Sequence, residues 1–285
     1  MNVGQKSAGL VRLLRFELPL AAGICVVMGQ MFALGHFASV SATIAGALSI
    51  FCISAAILVL NDVIDLETDR INAPDRPIPS GIVTRKEALV FSMGILATGL
   101  ISSYAINMMA LICAVIVSVI GILYDIRFKR YGLWGNLMVS ISVGMTFIYG
   151  GITVGSYLHP LVWLFGGIAA LTDLGEEIAA DVMDAAGDGL IGSRSLAIRY
   201  GRQTALTVSA CLFVTVILLT TLPFVFRWLS MIYLAPILFM DGVIAICTIL
   251  LWRPKGNEGR AYIRWLYLGA TAGLVMILVM RLFGV

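Results

Sequence analysis

Nine apolar stretches, at roughly 18–35, 40–61, 88–106, 108–124, 133–153, 160–175, 204–224, 229–251 and 263–283, dictate the solvent in which this chain can fold. A helix needs about 20 apolar residues to cross a bilayer, where every backbone N–H and C=O must be satisfied internally. Of the 285 residues 60% are hydrophobic and 12% charged, whereas about a quarter of a soluble domain is charged. The expected fold is therefore all-α: a polytopic membrane protein with nine transmembrane helices in a single domain over 1–285.

Nine spans put the N-terminus and the loops after the second, fourth, sixth and eighth helices on one side of the membrane. Of the 19 Lys and Arg residues, all but Arg227 and Arg281 fall on that side. Basic residues collect in cytoplasmic loops, so this face and the N-terminus are expected in the cytoplasm and the C-terminus outside. The net charge of +3 conceals this segregation because most acids share the same face. The basic residues are divided among short loops and interleaved with acids, a pattern that implies no nucleic-acid partner.

Cys25, Cys52, Cys113, Cys211 and Cys247 stand singly in five different apolar runs, which suits packing residues and neither a disulfide framework nor a zinc site. His36 and His159 lie in outer loops, and the lone Asp241 sits inside the eighth run. The first run is long enough to span and no small-residue cleavage pattern closes it, so it reads as a helix and not a signal peptide.

Carboxylates gather in two places. Asn61-Asp62-x-x-Asp65-x-x-x-Asp69 follows the second run, and Glu177-x-x-x-Asp181-x-x-Asp184-x-x-x-Asp188 follows the sixth. Residues four apart lie on one helix face, so Asn61, Asp65 and Asp69 form a row of oxygen ligands, and Glu177, Asp181, Asp184 and Asp188 share another face. Such rows repel themselves at the edge of a low-dielectric layer unless cations neutralise them. Oxygen-only donors select a hard ion such as Mg2+, which commonly bridges carboxylates to substrate phosphates. Arg76, Arg194 and the Lys129-Arg130 pair supply the positive charge that a diphosphate needs. Inner loops of about 25 residues follow the second and sixth runs and begin with these motifs, a length that points to function. Asp65 and Asp69 recur as Asp184 and Asp188, 119 positions later, so the spans read as two four-helix halves followed by a ninth helix.

The run Asn61-Asp62-Val63-Ile64-Asp65-Leu66-Glu67-Thr68-Asp69-Arg70-Ile71-Asn72-Ala73-Pro74-Asp75-Arg76-Pro77-Ile78-Pro79-Ser80-Gly81 resembles the first motif of the UbiA superfamily of intramembrane prenyltransferases. Asp184-Ala185-Ala186-Gly187-Asp188, with Gly192 and Ser195, resembles its second. Tyr124-Asp125-x-x-x-Lys129-Arg130 with Gly135-Asn136 is similar to the segment between its fourth and fifth helices. The resemblance covers the length of the chain. It implies a bundle around a central cavity, a prenyl diphosphate held through Mg2+, and transfer of the prenyl group to a lipophilic acceptor from the lipid bilayer. By position, Asn61, Asp65 and Asp69 would serve one metal and Asp184 and Asp188 another. Arg76, Lys129, Arg130 and Arg194 would hold the diphosphate, with Asp181 and Tyr124 in support beside the catalytic Lys129.

Within that family, Ile71-Asn72-x-Pro74-x-Arg76-Pro77-Ile78-Pro79-Ser80-Gly81 is a form shared by the archaeal ether-lipid enzymes, which geranylgeranylate geranylgeranylglyceryl phosphate, and the chlorophyll synthases. Glu177-Ile178-x-x-Asp181-x-x-Asp184 is more like the former. The chain departs from that group at Glu176 and Ala180, where Arg and Lys are usual, and in Arg15-Phe16-Glu17-Leu18, where the group has Arg-Pro-x-Asn. Those departures keep an aromatic, quinone-precursor or chlorophyllide-type acceptor open. A different class, a carrier for cations or phosphate, would also use intramembrane acids, although carriers place them near the midplane and these lie at helix ends. A regulatory or assembly role without catalysis is a third reading.

Overall fold

A computed structural model describes residues 3–188, 192–253 and 258–284. Helices account for the ordered structure, and no strand occurs among the described residues. In chain order they are α1 (Val3–Leu13), α2 (Glu17–Leu34), α3 (Val40–Ile64), α4 (Leu66–Asn72), α5 (Arg85–Ile106), α6 (Met108–Ile126), α7 (Leu133–Thr153), α8 (Pro160–Asp188), α9 (Leu196–Leu219), α10 (Leu222–Val225), α11 (Leu234–Leu251) and α12 (Glu258–Leu282).

Eight of the described helical segments are long and apolar enough to cross a membrane. They correspond to eight of the nine expected runs. The expected sixth run lies within α8, a 29-residue helix whose apolar half leads into Asp173, Glu176 and Glu177. Helix continues there to Asp188, so the long loop expected after the sixth run is mostly helix. The loop after α3 is likewise partly helical, since it contains α4.

The starts of these helices follow from local chemistry. Ser39 accepts from the Ala42 amide, Asn107 from Ala110 and Ser195 from Ile198, each satisfying an amide that the helix cannot. Thr84 and Glu87 form a reciprocal capping box on α5. Gly35 ends α2 at φ +72°, a left-handed closure that glycine adopts without steric cost.

The chain divides into two compact units. The first comprises residues 1–127 and 148–157; the second comprises 128–147 and 158–285. In the first, α3 packs against α2, α5 and α6. Small residues on the inward face of α5 bring its backbone close to α3: a Cβ on Gly99 would lie 2.9 Å from the Ser49 carbonyl oxygen, and the Ser92 hydroxyl donates to the Ala56 carbonyl at 2.8 Å. The opposite face of α5 exposes Val90, Met93, Ile101 and Tyr104, an apolar surface suited to lipid. In the second unit α8 packs against α9, and α12 against α11 and α8. The last helix, expected to follow two halves, is thus part of the second unit.

Candidate active site

In the first unit the motif sits where α3 ends. Asp65 breaks the helix at φ −79°, ψ 4°, yet the i→i−4 ladder runs on across the break: Asp65 N–H donates to the Asn61 carbonyl at 2.8 Å and Asp69 N–H to the Asp65 carbonyl at 2.8 Å. The four-residue backbone spacing of Asn61, Asp65 and Asp69 therefore continues across the two helices, while the Asn61 and Asp69 side chains take different partners, Asp125 and Arg76.

The side chains are arranged around arginine. Asp62 is buried, with 3% of its side chain exposed, and accepts from Arg15 and, at 3.5 Å, from Arg76. Arg76 also donates to Asp69 at 2.5 Å. Asn61 Nδ2 donates to Asp125 Oδ1 at 2.8 Å, which ties α3 to the end of α6. Asp65 and Tyr124 are half-buried nearby in sequence and on α6, respectively. Arg76 is carried by a compact turn over 73–83, whose buried Ile78 and Val83 pack with Val59, Val63, Ala88 and the α1 residue Leu13.

In the second unit, Lys129 and Arg130 are exposed on a single 3-10 turn, Phe128–Arg130. The Arg194 amide donates to the Arg130 carbonyl at 3.1 Å, and the Arg194 guanidinium lies over the Tyr131 ring at 5.7 Å. Three of the four expected diphosphate cations are thus neighbours. On α8, Asp181 accepts from Asn136 Nδ2 at 2.9 Å, Asp173 from Ser140 at 2.9 Å, and Asp184 from Arg260 at 2.5 Å. The Asp188 side chain lies outside the described residues.

Five participants were not assigned a role from sequence: Arg15, Asp62, Asp125, Asn136 and Arg260. Asp62, Asp125 and Asn136 do lie within the quoted motifs, and all three are buried. Arg15 stands at the Arg of the first-helix pattern compared above, but nothing local ties it to Asp62, and Arg260 belongs to no quoted motif; each meets its carboxylate through tertiary packing.

Among the described residues, no three His, Cys, Asp or Glu side chains gather as a metal site. The donor chemistry nonetheless suits a hard divalent ion. Every candidate ligand offers oxygen, and Asp69 and Asp184 each already hold a positive charge, from Arg76 and Arg260. An apolar groove lined by Phe239, Val243, Ile246, Trp265 and Leu268 on α11 and α12 carries no such charge and suits only hydrocarbon.

A model of the UbiA prenyltransferase family matches residues 22–280. The digeranylgeranylglyceryl phosphate synthase of Methanopyrus kandleri is 36% identical over 257 residues, covering 90% of this chain and 93% of its own. A solved structure of digeranylgeranylglyceryl phosphate synthase is 29% identical with a TM-score of 0.78, covering 97% of this chain and 98% of that one. A UbiA homolog from Archaeoglobus fulgidus bound to GPP and Mg2+ shares the fold at 20% identity and a TM-score of 0.69, over 94% of this chain and 97% of its own.

Proposed function

Since the chain belongs to the UbiA prenyltransferase family, we propose that this multi-pass membrane protein transfers a geranylgeranyl group from its diphosphate to geranylgeranylglyceryl phosphate. The observation that carries the reading is Arg76 set among motif carboxylates, 2.5 Å from Asp69 and 3.5 Å from Asp62. That arrangement pairs oxygen donors for a cation with a guanidinium for a phosphate. The name of the Methanopyrus kandleri relative, a digeranylgeranylglyceryl phosphate synthase, supports this choice of acceptor.

In this reading Asn61, Asp65 and Asp69 hold one Mg2+, and Asp184 and Asp188 hold another. Bound there, magnesium offsets the negative charge that accumulates on diphosphate as it leaves. Arg76, Lys129, Arg130 and Arg194 grip the diphosphate oxygens. The allylic C–O bond breaks with its electron pair going to diphosphate. The free glycerol hydroxyl attacks the carbon, forming an ether bond, and its proton passes to an oxygen of the released diphosphate. Asn136 orients Asp181, one turn before Asp184, to support the second carboxylate set; Tyr124, on α6, orients the first. Apolar surroundings keep water from the allylic cation.

The single domain is read as having nine spans, with α8 as the one that also carries the acids, and with the N-terminus and motifs on the cytoplasmic side. Glu176 and Ala180 favour a second acceptor class, an unphosphorylated aromatic or quinone precursor, because neither position offers a cation to a phosphate. Product mass spectrometry after incubation with Mg2+, geranylgeranyl diphosphate and a panel of acceptors decides between them. The expected product is the doubly alkylated glyceryl phosphate, and Asp65→Asn or Asp184→Asn is expected to abolish it in protein that still folds. Full turnover by both variants would refute the metal roles, and solute uptake into proteoliposomes without any prenyl transfer would support the carrier.

A further inference from the structure

The helix α1 precedes the first membrane span, and the structure ties it down at three points. Leu13 is 1% exposed in the cluster with Val59, Val63, Ile78, Val83 and Ala88. Gly9 lies against Ile82 and Val83, where a Cβ would come within 2.7 and 2.8 Å of their methyl groups. Lys6 pairs with Glu87 at 2.5 Å. Just beyond, Arg15 adopts φ +44°, a left-handed backbone that a non-glycine residue rarely takes. Such outliers persist where surrounding structure over-determines them, and here the Arg15 side chain ends on Asp62.

Arg15 and Arg76 face Asp62, and Arg76 also holds Asp69. If Arg76 turns toward a diphosphate it leaves Asp69, 2.5 Å away, which the proposed metal would then neutralise, and also Asp62, a carboxylate with only 3% of its side chain exposed. A buried carboxylate deprived of its partner is strongly unfavourable. Arg15 is the partner that remains.

We propose that Arg15 is a positioning residue: by holding the charge of Asp62 it frees Arg76 to bind the diphosphate of the prenyl substrate. The proposal rests on the reading of Arg76 as a diphosphate ligand. Without Arg15, Asp62 keeps Arg76 to itself, and substrate must compete for it. Asp62 in this account is the counter-charge that sets the availability of Arg76, and α1 is the strap that delivers Arg15.

The test uses the full-length protein in detergent with Mg2+. KM and kcat for geranylgeranyl diphosphate are measured, together with binding of its unreactive S-thiolodiphosphate analogue by calorimetry. Arg15→Gln is expected to raise KM and weaken analogue binding by at least about tenfold, the scale of one charged hydrogen bond, with a much smaller change in kcat. Arg15→Lys keeps the charge and recovers most of the affinity. The decisive variant is Arg15→Gln combined with Asp62→Asn, which removes the uncompensated carboxylate and with it the trap, so KM returns toward the wild-type value. A structural role for Arg15 would give no such recovery. The proposal is overturned if Arg15→Gln leaves KM unchanged, or if the double variant, or the Lys variant where Arg15→Gln does not fold, is no better than the defective protein. Wild-type protein that neither binds the analogue nor turns over prenyl diphosphate would instead sink the proposed function.

Discussion

The Arg194 amide donates to the Arg130 carbonyl at 3.1 Å, and Gly132 is what lets the two strands of backbone meet. Gly132 has φ +56°, and a Cβ there would lie 2.2 Å from the Arg194 carbonyl oxygen. No shift of a flexible side chain can relieve that contact, because the obstructing atom is backbone.

Gly132→Ala is therefore expected to part the two segments. A non-glycine residue forced into this conformation costs about 1–3 kcal/mol, and the separation moves Arg194 away from Lys129 and Arg130. Thermal unfolding in detergent should show a lower Tm, and KM for prenyl diphosphate should rise. An unchanged Tm and KM would mean that the pairing of these segments does not matter to the fold or to the cations.

Asn136 makes a second checkable link. Its amide donates to Asp181 at 2.9 Å, and both groups are mostly shielded from water. Asn136→Ala removes a hydrogen bond to a charged group, worth about 1.5–3 kcal/mol, and lets Asp181 reorient. Asn136→Asp places two carboxylates together and should be worse. The expected order of kcat is wild type, then Asn136→Ala, then Asn136→Asp, with about 10- to 150-fold lost at the first step if the full bond energy is felt in the transition state. Wild-type activity in both variants would argue against a role for Asp181.

Much of this arrangement is legible in the chain because its physics is local. The apolar runs predict the spans since a bilayer demands length and hydrophobicity from each helix separately. The row through Asn61, Asp65 and Asp69 is also local, and its backbone ladder follows the four-residue spacing even across the break at Asp65. The extent of α8 is less legible. Its carboxylates end the apolar pattern at Asp173 while the helical backbone continues for 15 further residues to Asp188. Hydropathy marks where a helix meets hydrocarbon, and hydrogen bonding marks where it stops. The partners of the carboxylates are legible least of all. Arg15 lies 47 positions from Asp62, and Arg260 lies 76 from Asp184; such pairings depend on how helices pack.

If Asp184 holds a metal as proposed, Arg260 competes for its oxygen. It donates to Asp184 Oδ1 at 2.5 Å with 67% of its own side chain exposed. An exposed pair of this kind is worth about 0–1 kcal/mol. Arg260→Ala is therefore expected to lower the Mg2+ concentration for half-maximal activity by no more than about fivefold. Titrating Mg2+ into wild type and variant checks this. A higher Mg2+ requirement in the variant would show that Arg260 supports the metal site and does not oppose it.

Tyr149 separates the contribution of a buried hydroxyl from that of a buried ring. Its hydroxyl lies 2.7 Å from Ser49 Oγ and 2.8 Å from Ser103 Oγ, while Ser49 also bonds the Gly46 carbonyl and Ser103 the Gly99 carbonyl. Three hydroxyl protons thus serve four contacts, so one proton is shared. Removing the phenol oxygen leaves two serine protons for two carbonyls, and no donor is stranded. Tyr149→Phe should accordingly cost only about 0.5–1.5 kcal/mol. Tyr149→Ala removes a ring that is fully buried, and the resulting cavity should cost about 3–5 kcal/mol. The two variants should therefore differ clearly in thermal unfolding. If Tyr149→Phe proves as damaging as Tyr149→Ala, the polar link between α3, α5 and α7 holds the first unit together more than the packing of the ring does.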